Sequence, residues 1–365
     1  MNKKQNAFHG SDVEKIEEIY GVPKDEIVSF GANVNPLGLS KSLKEELQKN
    51  IDVITSYPDR DYKELRKIIG SYCQVRPEYV VTGNGSTELI SLLISQRKAK
   101  HALILGPSYS EYERELSLAK ARSSVYLLKE ENNFKIDLEH FIEALKDDVD
   151  FLILCNPNNP TSSAILHNDL EKILKICNEK GIFVMIDETY VEFAPHVNEV
   201  TAMPFIEKYD NLMILRSVSK FYAAPGLRFG YGVTKNKEFL NTLKANQNPW
   251  SLNSVAEFAG KQMFTDQDYI GKTRALILTE RAKMIDRLNT FRYAKVYDAY
   301  ANFIFLRILK EGLTSFDVFE HAIKEKMMIR DCSSFEGLEG EYIRFCIMSP
   351  EENTRLLNCL EKILG

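Results

Sequence analysis

Two short polar stretches of this chain bring together side chains that can do chemistry. Each stretch directly follows an apolar run, at 182–186 and at 212–215, with the length and composition of a buried strand. The carboxyl ends of such strands form the edge at which open α/β sheets bind their ligands. We therefore expect a carboxylate, a phenol, hydroxyls, an amine and a guanidinium to meet there, from Asp187, Tyr190, Ser217, Ser219, Lys220 and Arg228.

Lys220 must be uncharged to react, whereas Asp187 must keep its charge to hold a cation. A lysine must lose its proton to attack a carbonyl, and desolvation or a nearby cation such as Arg228 favours the neutral amine. A buried carboxylate such as Asp187 is costly without a cationic partner, and a protonated pyridine nitrogen is such a partner. Pyridoxal 5′-phosphate requires this set: a lysine for a Schiff base, a carboxylate for the pyridinium, and hydroxyls with an arginine for the phosphate. Each residue alone also has an ordinary explanation as a solvated lysine, helix cap or surface ion pair.

Further candidates for cofactor binding lie at predicted turns and at a predicted helix start. The glycine-led start at 85–87 offers free backbone N–H groups and a helix dipole to a phosphate. Tyr57 and Tyr109 are rings that could stack on a flat cofactor, and Asn159 could bond its ring oxygen, as could Tyr190. The alternative for each tyrosine is simple packing, and for Asn159 it is turn formation.

Bulk composition excludes several classes of protein. A length of 365 residues is long for one core, so two domains are expected. A net charge of -5 gives no reason to expect nucleic acid or an anionic membrane as a partner. No apolar run approaches the ~20 residues that span a bilayer, and the first ten residues lack the apolar core of a signal peptide. Six scattered cysteines without a C-x-x-C pair predict free thiols in the cytoplasm and no metal site.

Strand-like and helix-like runs alternate from about residue 79, which predicts an α/β fold with a mostly parallel sheet. A smaller α+β unit follows residue 285. The predicted divisions are 1–45 as an N-terminal arm and part of the small domain, 46–285 as the large cofactor-binding domain, and 286–365 as the small domain. Predicted strands lie at 79–81, 101–105, 125–128, 151–154, 182–186, 212–215, 303–306 and 342–347, with a helix at 169–178.

The order and spacing of these motifs resemble the fold-type I pyridoxal-phosphate enzymes of the class I/II aminotransferase superfamily. The resemblance covers nearly the whole chain and rests on Asn159-Pro160-Thr161, Asp187-x-x-Tyr190, Ser217-x-Ser219-Lys220 and Arg228. It implies a seven-stranded sheet in the large domain and a homodimer with shared active sites. The implied catalytic residues are Lys220 for the Schiff base, Asp187 for the pyridine nitrogen and Tyr190, with Asn159, for the ring oxygen. The other implied contacts are Gly85, Ser86, Ser217, Ser219 and Arg228 to the phosphate, Tyr109 stacked on the ring, Tyr57 from the partner subunit, and Arg344 to the substrate carboxylate.

Several stretches resemble the threonine-phosphate decarboxylase branch of that superfamily. They are His9-Gly10, 30–38 (FGANVNPLG), 57–62 (YPDRDY), 220–226 (KFYAAPG), 248–253 (NPWSLN) and the run that begins at Arg330. The resemblance implies that His9, Asn33 and Arg330 bind a small phosphorylated amino acid. The implied reaction converts L-threonine O-3-phosphate to (R)-1-aminopropan-2-ol phosphate in cobalamin side-chain synthesis. One alternative is the histidinol-phosphate aminotransferase branch, with 2-oxoglutarate as acceptor; another is a non-catalytic protein that binds a phosphorylated metabolite.

Overall fold

The computed structural model describes residues 12–365. The segment before the central sheet is mostly helical and carries one short strand. Its elements are α1 at Val13–Tyr20, β1 at Val28–Ser29, α2 at Lys41–Lys49 and α3 at Lys63–Cys73.

The middle of the chain alternates strands and helices, as the sequence predicts. Its elements are β2 at Val80–Asn84, α4 at Gly85–Arg97, β3 at His101–Gly106, α5 at Glu111–Leu118, β4 at Arg122–Leu127, α6 at Leu138–Ala144, β5 at Phe151–Cys155, α7 at His167–Glu179, β6 at Phe183–Asp187, β7 at Leu212–Ser217, β8 at Phe229–Val233, α8 at Lys237–Asn246, α9 at Ser254–Met263 and α10 at Gln267–Leu288.

Seven of these strands form one sheet in the order β2-β8-β7-β6-β5-β3-β4. Strands β4, β3, β5, β6 and β7 pair in parallel, and β8 runs antiparallel to both of its neighbours. Every residue of β5, β6 and β7 is buried, which explains their apolar composition, because helices cover both faces of the sheet. The predicted α/β fold with a mostly parallel seven-stranded sheet is confirmed.

Strand β8 belongs to this sheet but is not among the strands that the sequence predicts. Its sequence alternates glycine with larger residues, and glycine is depleted in strands. At Gly230 the glycine marks a close approach: a Cβ there would overlap the backbone nitrogen of Ser86 and lie 2.7 Å from the carbonyl carbon of Gly85. The bare backbone of β8 therefore lets the start of α4 lie directly against the sheet.

The last part of the chain forms a smaller α+β unit. Its elements are β9 at Ala294–Val296, β10 at Phe303–Ile308, α11 at Ser315–Lys324, β11 at Met327–Met328, β12 at Arg330–Asp331, β13 at Tyr342–Cys346 and α12 at Pro350–Leu364. Four of the strands form an antiparallel sheet in the order β12-β13-β10-β9, and β11 pairs in parallel with β1. The N-terminal segment thus joins this unit through β1. The predicted boundary at residue 285 falls inside α10, and the division into domains stays a prediction.

Within residues 12–365, no helix combines the length and apolar composition that crossing a bilayer requires. In the same part of the chain, His, Cys, Asp and Glu side chains do not gather in threes as possible metal ligands. The six cysteines are all buried free thiols.

Candidate active site

A cavity of about 360 Å³ lies at the carboxyl ends of β5, β6 and β7, between the central sheet and the smaller unit. Most of the predicted site residues line it, although they come from all parts of the chain. These are Asn33, Gly85, Ser86, Tyr109, Asn159, Asp187, Tyr190, Ser217, Ser219, Lys220, Arg228, Arg330 and Arg344. Tyr57 is not among the lining residues, and its side chain is 81% exposed. His9 lies outside the described residues.

Lys220 projects into this cavity from the loop after β7. Its Nζ donates a hydrogen bond to the carbonyl of Ala32 at 2.7 Å. Burial lowers the pKa of this amine to about 8, and the positive charges of Arg344 and, to a smaller extent, Arg228 act in the same direction. The sequence predicts that Arg228 supplies such a charge, and in the structure Arg344 lowers the pKa of Lys220 more than Arg228 does. The amine is therefore easily deprotonated, as a nucleophilic lysine must be.

Asp187 ends β6 and is 5% exposed. Its Oδ1 accepts hydrogen bonds from the Thr189 backbone N–H at 2.9 Å and hydroxyl at 2.5 Å, and its Oδ2 accepts one from the Tyr112 hydroxyl at 2.8 Å. Burial raises the pKa of this carboxyl, and those hydrogen bonds oppose the rise. We expected a cationic partner, but these donors are neutral. A buried carboxylate held by neutral donors fits the cationic N–H of a pyridinium ring.

A cradle for a phosphate lies where α4 begins. Gly85 has a φ of +79°, and a Cβ there would lie 2.8 Å from Nη2 of Arg228. The hydroxyl of Ser217 donates to Oγ of Ser219 at 2.8 Å and accepts from the backbone N–H of that residue at 3.2 Å. Backbone N–H groups of the first helical turn, two hydroxyls and a guanidinium thus converge, and this set of donors fits a phosphate dianion.

Tyr190, Asn159 and Asn33 meet on another side of the cavity. The amide nitrogen of Asn33 donates to the Tyr190 hydroxyl at 3.3 Å. Asn159 accepts a hydrogen bond on Oδ1 from Nη1 of Arg344, whose Nη2 donates to the carbonyl of Gly31 at 2.8 Å. Among the described residues, Oδ1 of Asn33 and Nε of Arg344 are buried without a hydrogen-bond partner. Because Arg344 occupies its Oδ1, Asn159 can offer its amide nitrogen to a ligand as a donor.

Arg330 and Arg344 lie directly opposite each other on the antiparallel strands β12 and β13. Both line the cavity. Burial, and then the charge of Arg344, lower the pKa of Arg330. Arg330 also donates to the hydroxyl of Ser334 at 2.7 Å and lies over the ring of Phe335. Like charges opposite each other on a sheet repel, so this pair is suited to an anionic ligand.

Four contacts at the site were not anticipated from the sequence. They involve Tyr112, Thr189, Ala32 and Ser334. The spacing Tyr109-x-x-Tyr112 at a helix start is a usable signal, because residues three apart share a helix face. Thr189, two residues after Asp187, has the spacing of a turn in which an aspartate accepts from a nearby backbone N–H. The contact with Ala32 joins segments 188 residues apart and has no local signal.

Comparison with protein families and curated proteins gives a consistent result. The family model described as aminotransferase class I and II matches residues 25–360. The threonine-phosphate decarboxylase of Salmonella typhimurium is 33% identical, over 98% of this chain and 97% of that protein. A putative threonine-phosphate decarboxylase of Caldanaerobacter subterraneus is 35% identical, over 90% of this chain and 88% of that protein. The histidinol-phosphate aminotransferase of Methanococcus aeolicus is 30% identical over 98% and 95%.

Solved structures from the same two branches share the fold. A histidinol-phosphate aminotransferase from Clostridium acetobutylicum superposes with a TM-score of 0.85 at 35% identity, over 92% of this chain and 98% of the other. The L-threonine-O-3-phosphate decarboxylase of Porphyromonas gingivalis gives a TM-score of 0.80 at 27% identity, over 92% of this chain and 98% of the other.

Proposed function

Because this chain belongs to the aminotransferase class I and II family, we propose that it is a pyridoxal 5′-phosphate enzyme that decarboxylates L-threonine O-3-phosphate. The product is (R)-1-aminopropan-2-ol phosphate, a precursor in cobalamin side-chain synthesis. Similarity to threonine-phosphate decarboxylases over most of the chain supports this branch.

The observation that carries the proposal is the pairing of Arg330 with Arg344 in the cavity wall. Two guanidinium groups on opposite residues of neighbouring strands call for two anionic groups on one small ligand. Threonine phosphate carries a carboxylate and a phosphate a few bonds apart. Histidinol phosphate carries a phosphate and no carboxylate, so it would match one of the two arginines, and only the acceptor of that reaction, 2-oxoglutarate, carries two anionic groups.

The residues around the cavity fit the cofactor in three places. We assign its phosphate to Gly85, Ser86, Ser217, Ser219 and Arg228, its ring nitrogen to Asp187, and its ring oxygen to Tyr190 and Asn159, with Tyr109 stacked on the ring. When bound, the cofactor supplies an electron-withdrawing ring that stabilises the charge left at the substrate α-carbon after a bond to it breaks.

The protein's own residues then select which bond breaks. A decarboxylase must hold the bond from the α-carbon to the carboxylate perpendicular to the cofactor ring. In our proposal Arg344 binds the substrate carboxylate, and Arg330 and Asn33 bind the substrate phosphate. These contacts hold the substrate in the orientation that keeps this bond perpendicular to the ring. We also assign His9, which lies outside the described residues, to the substrate phosphate on the strength of the resemblance alone. Lys220, whose pKa is about 8, returns a proton to the α-carbon once CO2 has left.

We propose a homodimer in which Tyr57 reaches the cofactor phosphate of the partner subunit. Tyr57 is exposed and lies outside the cavity of its own chain, with its ring packed on Trp250 at a centroid distance of 4.9 Å. A second chain would cover both rings. We also propose a cytoplasmic location, which the six free cysteines support, since reducing compartments maintain free thiols.

Transamination of histidinol phosphate with 2-oxoglutarate is the second candidate. It is favoured by the 35% identity to the Clostridium acetobutylicum aminotransferase of known structure. The two reactions use the same cofactor site and differ in the contacts that orient the substrate. A protein that only binds a phosphorylated metabolite would not need both a lysine such as Lys220 and a carboxylate such as Asp187 at its site.

Purified enzyme with L-threonine O-3-phosphate as sole substrate distinguishes these functions. Release of CO2 and aminopropanol phosphate without a keto-acid acceptor is the expected result. Conversion of the bound cofactor to its amine form by histidinol phosphate, with no CO2 from threonine phosphate, would replace decarboxylation by transamination. A protein with no visible cofactor absorbance and unchanged ligand binding in Lys220→Ala would be a non-catalytic binder.

A further inference from the structure

We propose that Tyr112 is a positioning residue that fixes the Asp187 carboxylate and keeps it ionised, and that it thereby keeps a pyridine nitrogen bound against Asp187 protonated. This inference rests on the cofactor in the proposed function. It does not depend on whether the reaction is decarboxylation or transamination.

The two oxygens of Asp187 are held by separate parts of the fold. Thr189, in the loop that follows β6, supplies both donors to Oδ1. Tyr112 is the second residue of α5 and supplies the donor to Oδ2 at 2.8 Å, across 75 positions of sequence. Its side chain is 1% exposed, so the hydroxyl has little access to water. Without Tyr112, Thr189 alone would hold the carboxylate, at one oxygen only.

The charge around Asp187 makes that one hydroxyl important. Within residues 12–365, the ionisable groups that face the carboxylate are Cys155 on β5, Tyr109 and Tyr112 at the start of α5, and Tyr190 in the loop after β6. Burial raises the pKa of each of these four groups, so all of them are uncharged at neutral pH. The thiol of Cys155 donates to the carbonyl of Pro157 at 3.3 Å and also interacts with the Tyr112 hydroxyl. Neutral hydrogen bonds are therefore what offsets the cost of burying the charge on Asp187.

Tyr112 also connects the carboxylate to the ring assigned to stack on the cofactor. The rings of Tyr109 and Tyr112 pack edge to face, with centroids 5.7 Å apart and planes 88° apart. The backbone N–H of Tyr112 donates to the carbonyl of Tyr109 at 3.3 Å. The same turn of the chain thus carries both the ring of Tyr109, assigned to stack on the cofactor, and the hydroxyl of Tyr112, which holds the Asp187 carboxylate assigned to the ring nitrogen. Tyr112→Phe keeps this packing and removes the hydroxyl alone.

The test compares Tyr112→Phe with wild type and with Tyr231→Phe. Tyr231 is an equally buried tyrosine outside the cavity, and its hydroxyl lies 3.5 Å from the thiol of Cys73. In apoprotein labelled with [13C]aspartate, NMR titration should show a higher pKa for Asp187 in Tyr112→Phe only. In protein loaded with 15N-labelled pyridoxal phosphate, the ring-nitrogen signal should move toward its unprotonated position. Cofactor affinity should fall, because a carboxylate that is protonated more readily interacts less strongly with a cationic ring nitrogen.

An Asp187 titration and a 15N signal that are both unchanged in Tyr112→Phe would overturn the inference. If wild type binds no pyridoxal phosphate, the proposed function fails, whereas the apoprotein titration still decides the role of Tyr112. Should Tyr112→Phe fail to fold, 3-fluorotyrosine placed at position 112 gives a stronger donor of nearly the same shape. It should lower the pKa of Asp187, and an unchanged pKa would reject the role.

Discussion

Arg216 and Glu188 form a buried ion pair at the carboxyl edge of the central sheet. Nε and Nη2 of Arg216 lie 3.0 and 2.8 Å from one carboxylate oxygen of Glu188, and the two side chains are 5% and 0% exposed. Glu188 also accepts from the Thr201 hydroxyl at 2.8 Å. Because Glu188 follows Asp187 and Arg216 precedes Ser217, the pair ties together two of the strand ends that carry the site.

Removing Arg216 alone should destabilise the fold more than removing Arg216 and Glu188 together. Arg216→Met leaves a buried carboxylate without its cation, and we expect it to lower the free energy of unfolding by about 3–5 kcal/mol. The double variant with Glu188→Leu should recover part of that loss. Urea unfolding measures both effects. Lys272→Ala is the control, because its 2.7 Å ion pair with Asp268 is exposed and its loss should leave the unfolding midpoint in place. A midpoint for Arg216→Met equal to that of wild type would contradict the prediction.

Glu192 should make stability fall as the pH rises. Burial raises the pKa of this carboxyl to about 7, although Arg216 lies 3.9 Å away and opposes the shift. The folded state therefore holds the proton more tightly than the unfolded state, so stability declines between about pH 4.5 and 7 and levels off above. Each unit by which the pKa is raised corresponds to about 1.4 kcal/mol. The difference in unfolding free energy between wild type and Glu192→Gln should thus change between pH 5 and 8, roughly the two sides of that window. A constant difference would show that Glu192 titrates normally.

The sequence predicted the parts of the fold that continuous apolar runs specify. Strands β5, β6 and β7 were found because parallel strands covered on both faces read as unbroken hydrophobic segments. The convergence of Asp187 and Lys220 at one edge followed from the same reading. Strand β8 was missed because its glycines serve a close approach between two elements, which no local preference records.

Local sequence patterns do not predict the contacts that set the pKa values and hydrogen bonds of the site. Arg344 acts on Lys220 and donates to Asn159, although the three residues lie far apart in sequence. Such relations appear only when the smaller unit is placed against the central sheet. Residue types at strand ends thus predict which groups a site contains, and packing sets their pKa values and hydrogen-bond partners.

Gly230→Ala should weaken cofactor binding through the start of α4. The added methyl would overlap the backbone nitrogen of Ser86, so the helix start must move away from β8. We expect a loss of about 1–3 kcal/mol in stability, typical of overpacking, and weaker binding of pyridoxal phosphate. Gly226→Ala is the control, because a Cβ at that position meets no atom within 4 Å. Equal cofactor dissociation constants for the two variants, measured by absorbance titration, would count against a role for this close approach.

Arg330→Gln should raise the KM for threonine phosphate and leave cofactor binding intact. Loss of a hydrogen bond to a charged group costs about 1.5–3 kcal/mol, which corresponds to roughly 10- to 150-fold in KM. Lys324→Gln removes one positive charge from an exposed position of α11 and controls for net charge. Steady-state CO2 release measures KM in both. A KM for Arg330→Gln equal to that of the Lys324 variant would remove Arg330 from the substrate site.

The rate at which apoenzyme captures pyridoxal phosphate should depend on the protonation of Lys220. The neutral amine is the nucleophile, and its pKa of about 8 means that the rate should rise with pH through that value and then level off. Arg344→Gln removes a positive charge that favours the neutral form, so the midpoint should move to higher pH. Arg330→Gln should leave the midpoint unchanged, because Arg344 and Arg228 are the arginines that act on Lys220. Stopped-flow absorbance gives these profiles, and borohydride reduction with peptide mapping identifies the labelled lysine. A midpoint that does not respond to Arg344→Gln, or a label on another lysine, would show that this amine is not activated as the structure indicates.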